Sequence, residues 1–381
     1  MDRVNRGLHA FAWVFCCLGV GCALVSCGGG GGSSPSGGSS TIANKEQLGK
    51  ALFFDTSLSN PVGQSCGTCH SPAKNFSDPR PGPTSAGAVN GLFGFRHAPS
   101  ISYMAYSPPF SVTGGEAGGA VGGQFWDGRA STLNDQVHFP LLNPIEMNNP
   151  TEAAMVAKVA VSPESAPMKR IYGAGVFNDS TTAFNAIVDA IVAFEKSPAV
   201  SPFSSKYDAF LAGRAQLSAT EIQGLGLFNG KGGCSGCHTS SPSPDGTPPL
   251  FTNFCYANLG LPKNPANPYY TIPAQYNPAG SSFVDLGLQI TTGQSGDAGN
   301  FMTPTLRNVA LRSPYFHNGI FSTLTQVLNF YNTRDLGGFA APEVPQTEDT
   351  TELGNLKLTT SEVNAIVAFL QTLNDGYSRT P

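Results

Sequence analysis

Apolar residues recur at the spacing of an amphipathic helix in four separate stretches of the chain. Residues 44–54 (NKEQLGKALFF) form the first stretch and residues 181–197 form the second. The third and fourth each begin with a Ser/Thr-x-x-Glu capping box, at residues 218–221 and 359–362. The pattern therefore predicts four helices, of which the second and the fourth share the core sequence IVAF.

The four helices fall into two similar halves, which indicates an internal duplication. Each half runs from a helix to a Cys-x-x-Cys-His motif, then through a long excursion, and ends with the IVAF helix. The excursions, residues 72–131 and 239–300, are rich in Gly, Pro, Ser and Asn, and loops of that length are uncommon unless they carry function. We predict a mainly α fold with two tandem domains, residues 44–203 and 204–381, joined by long irregular loops.

The two Cys-x-x-Cys-His motifs, CGTCH at 66–70 and CSGCH at 234–238, are the attachment signature of c-type haem. In this motif the two thiols bond covalently to the haem vinyl groups, and the adjacent imidazole becomes the proximal iron ligand. The sequence therefore predicts two covalent haems, with Cys66, Cys69, Cys234 and Cys237 as attachment sites and His70 and His238 as iron ligands.

Disulfides and zinc are the alternatives for these cysteines. A redox Cys-x-x-Cys needs a βαβ setting that the pattern does not show, and structural zinc would use both cysteine pairs together. Of the nine cysteines in the chain, three lie in the N-terminal apolar segment and Cys27 follows it. Cys255 is left over, and we expect it to be a buried free thiol.

The N-terminus has the pattern of an export signal, residues 1–27. Arg3 and Arg6 precede an apolar stretch that is too short to span a membrane. The following LVSC resembles a bacterial lipobox, which would leave Cys27 as a lipidated N-terminus, and ordinary signal cleavage nearby is the alternative. Residues 28–43 then form a flexible tether rich in Gly and Ser. We expect a periplasmic protein anchored to a membrane through Cys27.

Composition narrows the functional classes further. Only 12% of the residues are charged, and the chain holds 45 glycines and 30 prolines, which suits a loop-rich fold wrapped round prosthetic groups. The formal net charge of -4 comes without a basic run and without a basic patch interleaved with aromatics. We therefore expect no nucleic-acid partner.

Beyond the haem motifs, a series of short segments resembles the bacterial di-haem cytochrome c peroxidases and the MauG-like enzymes. The resemblance covers about residues 45–375 and rests on the shared order of the segments. It implies two cytochrome c domains, the first holding the haem where peroxide reacts and the second the haem where electrons enter. The matching segments are LGKALFFD (48–55), FRHAPS (95–100), FWDGRASTLNDQ (125–136), FPLLNPIEM (139–147), TPTLRNVA (303–310) and SPYFHNG (313–319).

The resemblance also implies catalytic residues at the first haem, where the family has a distal Gln and Glu that match Gln136 and Glu146. Cleavage of the peroxide O–O bond needs a base that moves a proton from the near to the far oxygen, and a carboxylate in an apolar pocket suits that task. The alternative for Glu146 is a solvated loop carboxylate. Pro140 matches a distal position of the MauG-like proteins, and Trp126 matches the tryptophan that couples the two haems. The alternative for Trp126 is a core aromatic.

The second haem departs from the peroxidase pattern. Its other axial ligand is a Met in the peroxidases and a Tyr in the MauG-like proteins, and the matching position is Tyr331. A phenolate stabilises oxidised iron, whereas a Met ligand raises the reduction potential. The alternative is that Met302 supplies the sulfur and Tyr331 packs on its helix.

A further departure concerns His97, the only histidine between His70 and Trp126. It takes the place of an Asn that, with carbonyls near SPYFH, helps to hold calcium in the peroxidases. Imidazole is a poor ligand for such a hard cation, so calcium is in doubt here. His97 would instead donate a hydrogen bond to a haem propionate, or be a loop histidine whose hydrogen bonds are made within the protein. It does not match the histidine that blocks the first haem in many peroxidases, so we expect this haem to be open.

The resemblance thus implies an enzyme that uses hydrogen peroxide. The leading interpretation is a peroxidase that reduces hydrogen peroxide with electrons from a cytochrome c-type donor. A MauG-like enzyme that oxidises side chains of a partner protein is the close alternative, and a plain electron carrier is the third. Such peroxidases often dimerise, which leaves a homodimer open.

Overall fold

The computed structural model describes residues 42–378, so the predicted signal, Cys27 and nearly all of the tether lie outside the described residues. The described part is mainly helical, as predicted, and none of its helices is long and apolar enough to cross a membrane. Its two short strands pair antiparallel. The elements are α1 (Lys45–Phe54), α2 (Cys66–Cys69), α3 (Leu133–Leu142), α4 (Glu152–Val161), α5 (Ser165–Tyr172), α6 (Ser180–Glu195), α7 (Lys206–Leu211), α8 (Ala219–Asn229), β1 (Tyr256–Ala257), α9 (Gln289–Thr292), β2 (Phe301–Met302), α10 (Leu324–Thr333) and α11 (Thr360–Gln371).

The four helices that the apolar pattern predicts are α1, α6, α8 and α11. The side chain of Asn44 caps α1 by accepting a hydrogen bond from a backbone N–H of its first turn. Ser218 and Glu221 form the predicted capping box of α8, and Thr359 and Glu362 form that of α11. These reciprocal hydrogen bonds satisfy backbone donors that a helix start leaves free, which explains why these helices begin where they do.

In each half the opening helix packs on the closing helix at a glycine. A Cβ atom at Gly49 in α1 would lie 1.8 Å from the carbonyl oxygen of Ala190 in α6. A Cβ atom at Gly224 in α8 would lie 2.0 Å from the carbonyl oxygen of Ala365 in α11. Neither position can hold a side chain without moving the helices apart. The two halves therefore repeat one helix crossing, in agreement with an internal duplication.

Two hydrophobic cores follow from these crossings. The first core is built from residues 48–200 and the second from residues 207–373, and no buried residue belongs to both. The break between them includes the predicted boundary between residues 203 and 204. Because the described residues form one compact unit, the division into two domains stays a prediction.

The two excursions contain 3-10 turns and isolated bridges, and their only named helix and strand are the four-residue α9 and the two-residue β1. A buried ion-pair cluster joins them, in which Arg96 pairs with Asp127 and with Asp285, both at 2.7 Å. Breaking such a buried pair costs about 3–5 kcal/mol because it leaves a charge unpaired in the interior. The cluster therefore holds the two excursions together immediately beside Trp126.

Candidate functional site

The first Cys-x-x-Cys-His motif forms the single helical turn α2, which ends at His70. The Nδ1 atom of His70 donates a hydrogen bond to the carbonyl oxygen of Phe76 at 3.1 Å. Because a carbonyl only accepts, the ring proton lies on Nδ1, and Nε2 carries the lone pair that a metal ligand needs. Burial lowers the pKa of His70, which keeps the imidazole neutral.

The second motif repeats this arrangement. Cys234–Gly236 forms a 3-10 turn, and Nδ1 of His238 donates to the carbonyl oxygen of Phe251 at 2.8 Å. Burial lowers the pKa of His238 to about 4, so this imidazole is also neutral. The accepting residues Phe76 and Phe251 have φ angles of 58° and 55°, a left-handed conformation that is uncommon outside glycine. The internal repeat thus extends to the residue that orients each histidine.

Each motif lines a large cavity. The first encloses about 1380 Å³ and the second about 1450 Å³, including the space at their mouths. All five cysteines of the described residues are free thiols, and residues 42–378 contain no cluster of His, Cys, Asp and Glu that could hold a metal ion by itself. Paired thiols, an oriented neutral imidazole and a large cavity fit a covalent haem at each motif. Cys255 is free as predicted but partly exposed rather than buried.

The structure places Glu146, Gln136 and Pro140 along the first cavity. Oε1 of Glu146 accepts a hydrogen bond from the side-chain amide of Asn143 at 2.7 Å. Burial raises the pKa of the Glu146 carboxyl, although Arg129 and the bond from Asn143 act against the rise. Glu146 therefore has the surroundings of a buried acid that can take up and return a proton.

These side chains come from α3 and from the turn that follows it. Pro140 lies inside α3 and has no N–H, so the carbonyl of Gln136 lacks its usual helical partner. Asn143 ends the helix, and its Oδ1 accepts from the amide of Ile145 at 2.9 Å. The amide of Glu146 donates to the carbonyl of Asn143 at 3.0 Å. Asn143 therefore fixes both the turn and the carboxylate.

Trp126 is buried and lines both haem cavities. Its indole Nε1 donates to the carbonyl oxygen of His97 at 2.9 Å. Its own carbonyl oxygen accepts from the amide of Met302, also at 2.9 Å. A ring that only fills a core needs no contact with both cavities, so this position favours the relay interpretation over the core aromatic.

Tyr331 and Met302 both line the second cavity, so the structure brings both candidate ligands to the same site. Tyr331 extends from α10, and burial is the main cause of its raised pKa, with the two thiols Cys234 and Cys237 adding to the rise. The phenol therefore lies close to the haem attachment site. Met302 lies in β2, and its backbone N–H donates a hydrogen bond to the carbonyl oxygen of Trp126.

Two buried histidines lie near the tryptophan. His97 lines the first cavity, and burial lowers its pKa to about 4, with Asp78 opposing and His70 adding to the fall. The ring of His317 stacks on Phe301 with centroids 3.5 Å apart, and its Nε2 is buried without a partner. The amide of His97 donates to the carbonyl of His317 at 2.6 Å, so a backbone hydrogen bond joins the first excursion to the SPYFHNG segment here.

Three charged residues at or near these cavities are not singled out by the sequence pattern. Glu195 ends α6 beside the first cavity with Oε2 unpartnered, and burial raises its pKa to about 8. Arg129 lies over the ring of Phe125 at 3.7 Å and pairs with Asp127 at 2.9 Å. Arg312 lies just before the SPYFHNG segment. A charge directly after the apolar IVAF run was the signal that Glu195 offered.

Comparisons with known proteins agree with this geometry. The family model described as di-haem cytochrome c peroxidase matches residues 43–216. The methylamine utilization protein MauG of Paracoccus denitrificans is 36% identical over 349 residues, which cover 86% of this chain and 88% of that protein. The cytochrome c551 peroxidase of Nitrosomonas europaea is 30% identical over 332 residues, covering 87% of this chain and 80% of that protein.

A solved structure with the same architecture is the di-haem peroxidase BthA of Burkholderia thailandensis. It aligns with a TM-score of 0.74 and 32% sequence identity, over 88% of this chain and 87% of that chain. The relatives include both cytochrome c peroxidases and MauG, so the comparisons do not choose between these two activities. This chain belongs to the di-haem cytochrome c peroxidase family and is an oxidoreductase that uses peroxide with two c-type haems.

Proposed function

We propose that this protein reduces hydrogen peroxide to water at the haem of residues 66–70, with electrons that enter from a cytochrome c-type donor at the haem of residues 234–238. The observation that carries the proposal is the position of Glu146. This carboxyl lines the same cavity as His70, and Asn143 holds it in place.

The haem iron would supply the site at which peroxide binds and receives electrons. Glu146 takes the proton from the oxygen nearer the iron and returns it to the farther oxygen, which then leaves as water. Gln136 lies along the same cavity, where its amide can hold the peroxide by hydrogen bonds. Two electrons from the donor and two protons from solvent complete the reduction of one peroxide to two water molecules.

Trp126 is the residue that we propose for electron transfer between the haems. It lines both cavities, and hydrogen bonds hold it at the indole nitrogen and at the backbone carbonyl. We also propose that the first haem is open in the oxidised protein. The one histidine in the first excursion, His97, lies close enough to His70 for the charge of His70 to lower the pKa of His97. This closeness supports a position of His97 beside the proximal ligand rather than opposite it.

Tyr331 favours a second candidate, a MauG-like enzyme that uses peroxide to oxidise side chains of a partner protein. The phenol lines the second cavity, and no side-chain hydrogen bond in the described residues holds it elsewhere. As an axial ligand it would stabilise oxidised iron and make the second haem a poor acceptor of electrons from a donor of high potential. The 36% identity with MauG points the same way.

Steady-state oxidation of reduced cytochrome c separates the two candidates. The full-length protein with both haems would be mixed with hydrogen peroxide and a pre-reduced c-type cytochrome, and the loss of the reduced cytochrome would be followed optically. A peroxidase oxidises it catalytically and only when peroxide is present. Rapid reaction with peroxide but hardly any oxidation of the cytochrome would favour the MauG-like candidate.

The placement of the protein in the cell is part of the proposal. We propose export to the periplasm, removal of residues 1–26 and lipidation of Cys27, with two haem domains that meet between residues 203 and 204. The lipobox and the Gly/Ser tether support this arrangement. Mass spectrometry of the mature N-terminus tests it, because lipidation would leave a modified Cys27 as the first residue.

A further inference from the structure

A third cavity of about 630 Å³, including its mouth, lies between the two haem cavities. It shares His97 with the first cavity and Met302 with the second, and Trp126 lines all three. Arg312 is the only arginine or lysine among the described residues that line it, and no Asp or Glu is among them. A single cationic side chain therefore occupies the space between the two sites.

The guanidinium of Arg312 is only partly satisfied. Its Nη2 donates to the carbonyl oxygen of Thr305, and its Nε is buried without a hydrogen-bond partner. None of the carboxylates in residues 42–378 forms an ion pair with it. Asp375, the carboxylate whose charge acts on Arg312, already accepts hydrogen bonds from Tyr103 and Asn308 at 2.7 Å each.

Arg312 remains charged despite its burial. Burial lowers its pKa to about 10, which is still well above neutral pH. A buried charge without a partner is costly, so the protein gains stability when an anion reaches this guanidinium. The chain itself offers none at this cavity, whereas a haem carries propionate carboxylates on its edge.

Arg312 lies near residues of both haem sites. The third cavity, which Arg312 lines, has His97 in common with the first cavity and Tyr315 and Phe316 in common with the second. The guanidinium therefore lies between residues of the two haem sites.

We propose that Arg312 is a fixed positive charge between the two haems, and that the free side of its guanidinium binds a haem propionate. The inference rests on the two haem sites proposed above. A guanidinium fork matches a carboxylate in charge and shape, and such charge-assisted hydrogen bonds are among the stronger ones in proteins. A positive charge here disfavours the more positive, oxidised iron and so raises the reduction potential of a nearby haem.

The same charge disfavours a divalent cation at this place. A calcium ion among carbonyls of the SPYFHNG segment would lie close to Arg312, which immediately precedes Ser313, and the two positive charges would repel each other. The proposal therefore includes the absence of a calcium requirement.

Three variants of the full-length, haem-loaded protein test the proposal: R312Q, R312K and R214Q. Arg214 is exposed, so R214Q removes an equal charge from the surface and serves as the matched control. The reduction potentials of both haems would be measured by optical titration against redox mediators, after the haem content has been determined. We expect R312Q to lower the potential of at least one haem, R312K to lower it less and R214Q to leave both unchanged.

Two results would overturn the proposal. One is an R312Q protein with two haems and unchanged potentials, and the other is R312K shifting the potentials as far as R312Q. If R312Q does not fold, the calcium content of the wild-type protein is measured instead. One tightly bound calcium ion per chain, or haem spectra that change when a calcium chelator is added, contradicts the proposal. A wild-type protein without two haems would instead contradict the haem sites themselves.

Discussion

The indole nitrogen of Trp126 donates a hydrogen bond to the carbonyl oxygen of His97 at 2.9 Å. The bond joins the residue between the two haem cavities to the loop that follows the first haem motif. The backbone carbonyl of Trp126 also accepts a hydrogen bond from the amide of Met302, so Trp126 is held at both its ring and its backbone. A rigid aromatic ring between two redox centres suits electron transfer.

Replacing Trp126 by Phe tests this role. Phe keeps an aromatic core residue but loses the larger ring and the hydrogen bond to His97. We expect the first haem still to react with peroxide, and electron transfer between the haems to slow at least about tenfold, equivalent to about 1.4 kcal/mol in the barrier. Stopped-flow spectra that follow each haem separately check this. Unchanged transfer with both haems bound would leave Trp126 a core residue only.

Replacing Glu146 by Gln removes the proposed base and keeps its shape. We expect the reaction with peroxide to slow by about 10²–10⁴-fold, the usual contribution of a general acid–base residue. Because burial raises the pKa of Glu146, the wild-type rate should fall as the pH falls through that raised value. E146Q should not show this fall.

The control for this variant is E46Q, because Glu46 lies exposed in the first turn of α1. Stopped-flow rates of the peroxide reaction over a range of pH provide the measurement. If E146Q and E46Q react with peroxide at the same rate, Glu146 has no catalytic role.

Two variants, Y331F and M302L, identify which residue is the second axial ligand of the second haem. Phe cannot bind iron, so Y331F should change the optical and EPR spectra of the second ferric haem. Replacing Met by Leu conserves side-chain volume and, in a core, lowers the free energy of unfolding by less than about 1.5 kcal/mol. M302L should therefore fold and leave the spectra unchanged. The opposite pattern would identify Met302 as the ligand and remove the main argument for the MauG-like candidate.

Glu195 makes stability depend on pH. The carboxyl ionises near 4.5 in an unfolded chain, whereas burial raises its pKa to about 8 in the folded protein. Between these values unfolding releases a proton, so the free energy of unfolding falls as pH rises, by about 1.4 kcal/mol per pH unit. Above the folded pKa this dependence ends. Urea unfolding across this pH range should show the fall in the wild type and lack it in E195Q, and an identical fall in both would assign it to other groups.

Local patterns predicted the parts of the fold that depend on local contacts. The capping boxes at Ser218 and Thr359 and the spacing of apolar residues located four of the longer helices, α1, α6, α8 and α11, because caps and helix faces involve residues only three or four positions apart. The haem motifs likewise are short. The family resemblance added Glu146 and Gln136, which the structure places at one cavity, while their roles stay predictions.

Residues whose surroundings come from distant parts of the chain could not be predicted in this way. Arg312 becomes an unpaired internal cation only because the first excursion packs against residues 302–316, the segment that contains it. Glu195 becomes a buried acid only because the end of α6 faces the first cavity. The charge directly after the IVAF run draws attention to Glu195 without showing that it is buried, and no local pattern distinguishes Arg312 from a solvated charge. The burial of both residues depends on contacts between segments far apart in sequence.

Addition of hydrogen peroxide to the fully oxidised protein tests the central claim most directly. The claim is that peroxide reaches an open first haem, where Glu146 assists its cleavage. We predict an immediate change in the optical and EPR spectra without prior reduction of either haem. A protein that stays inert towards peroxide until one haem is reduced would contradict the open site.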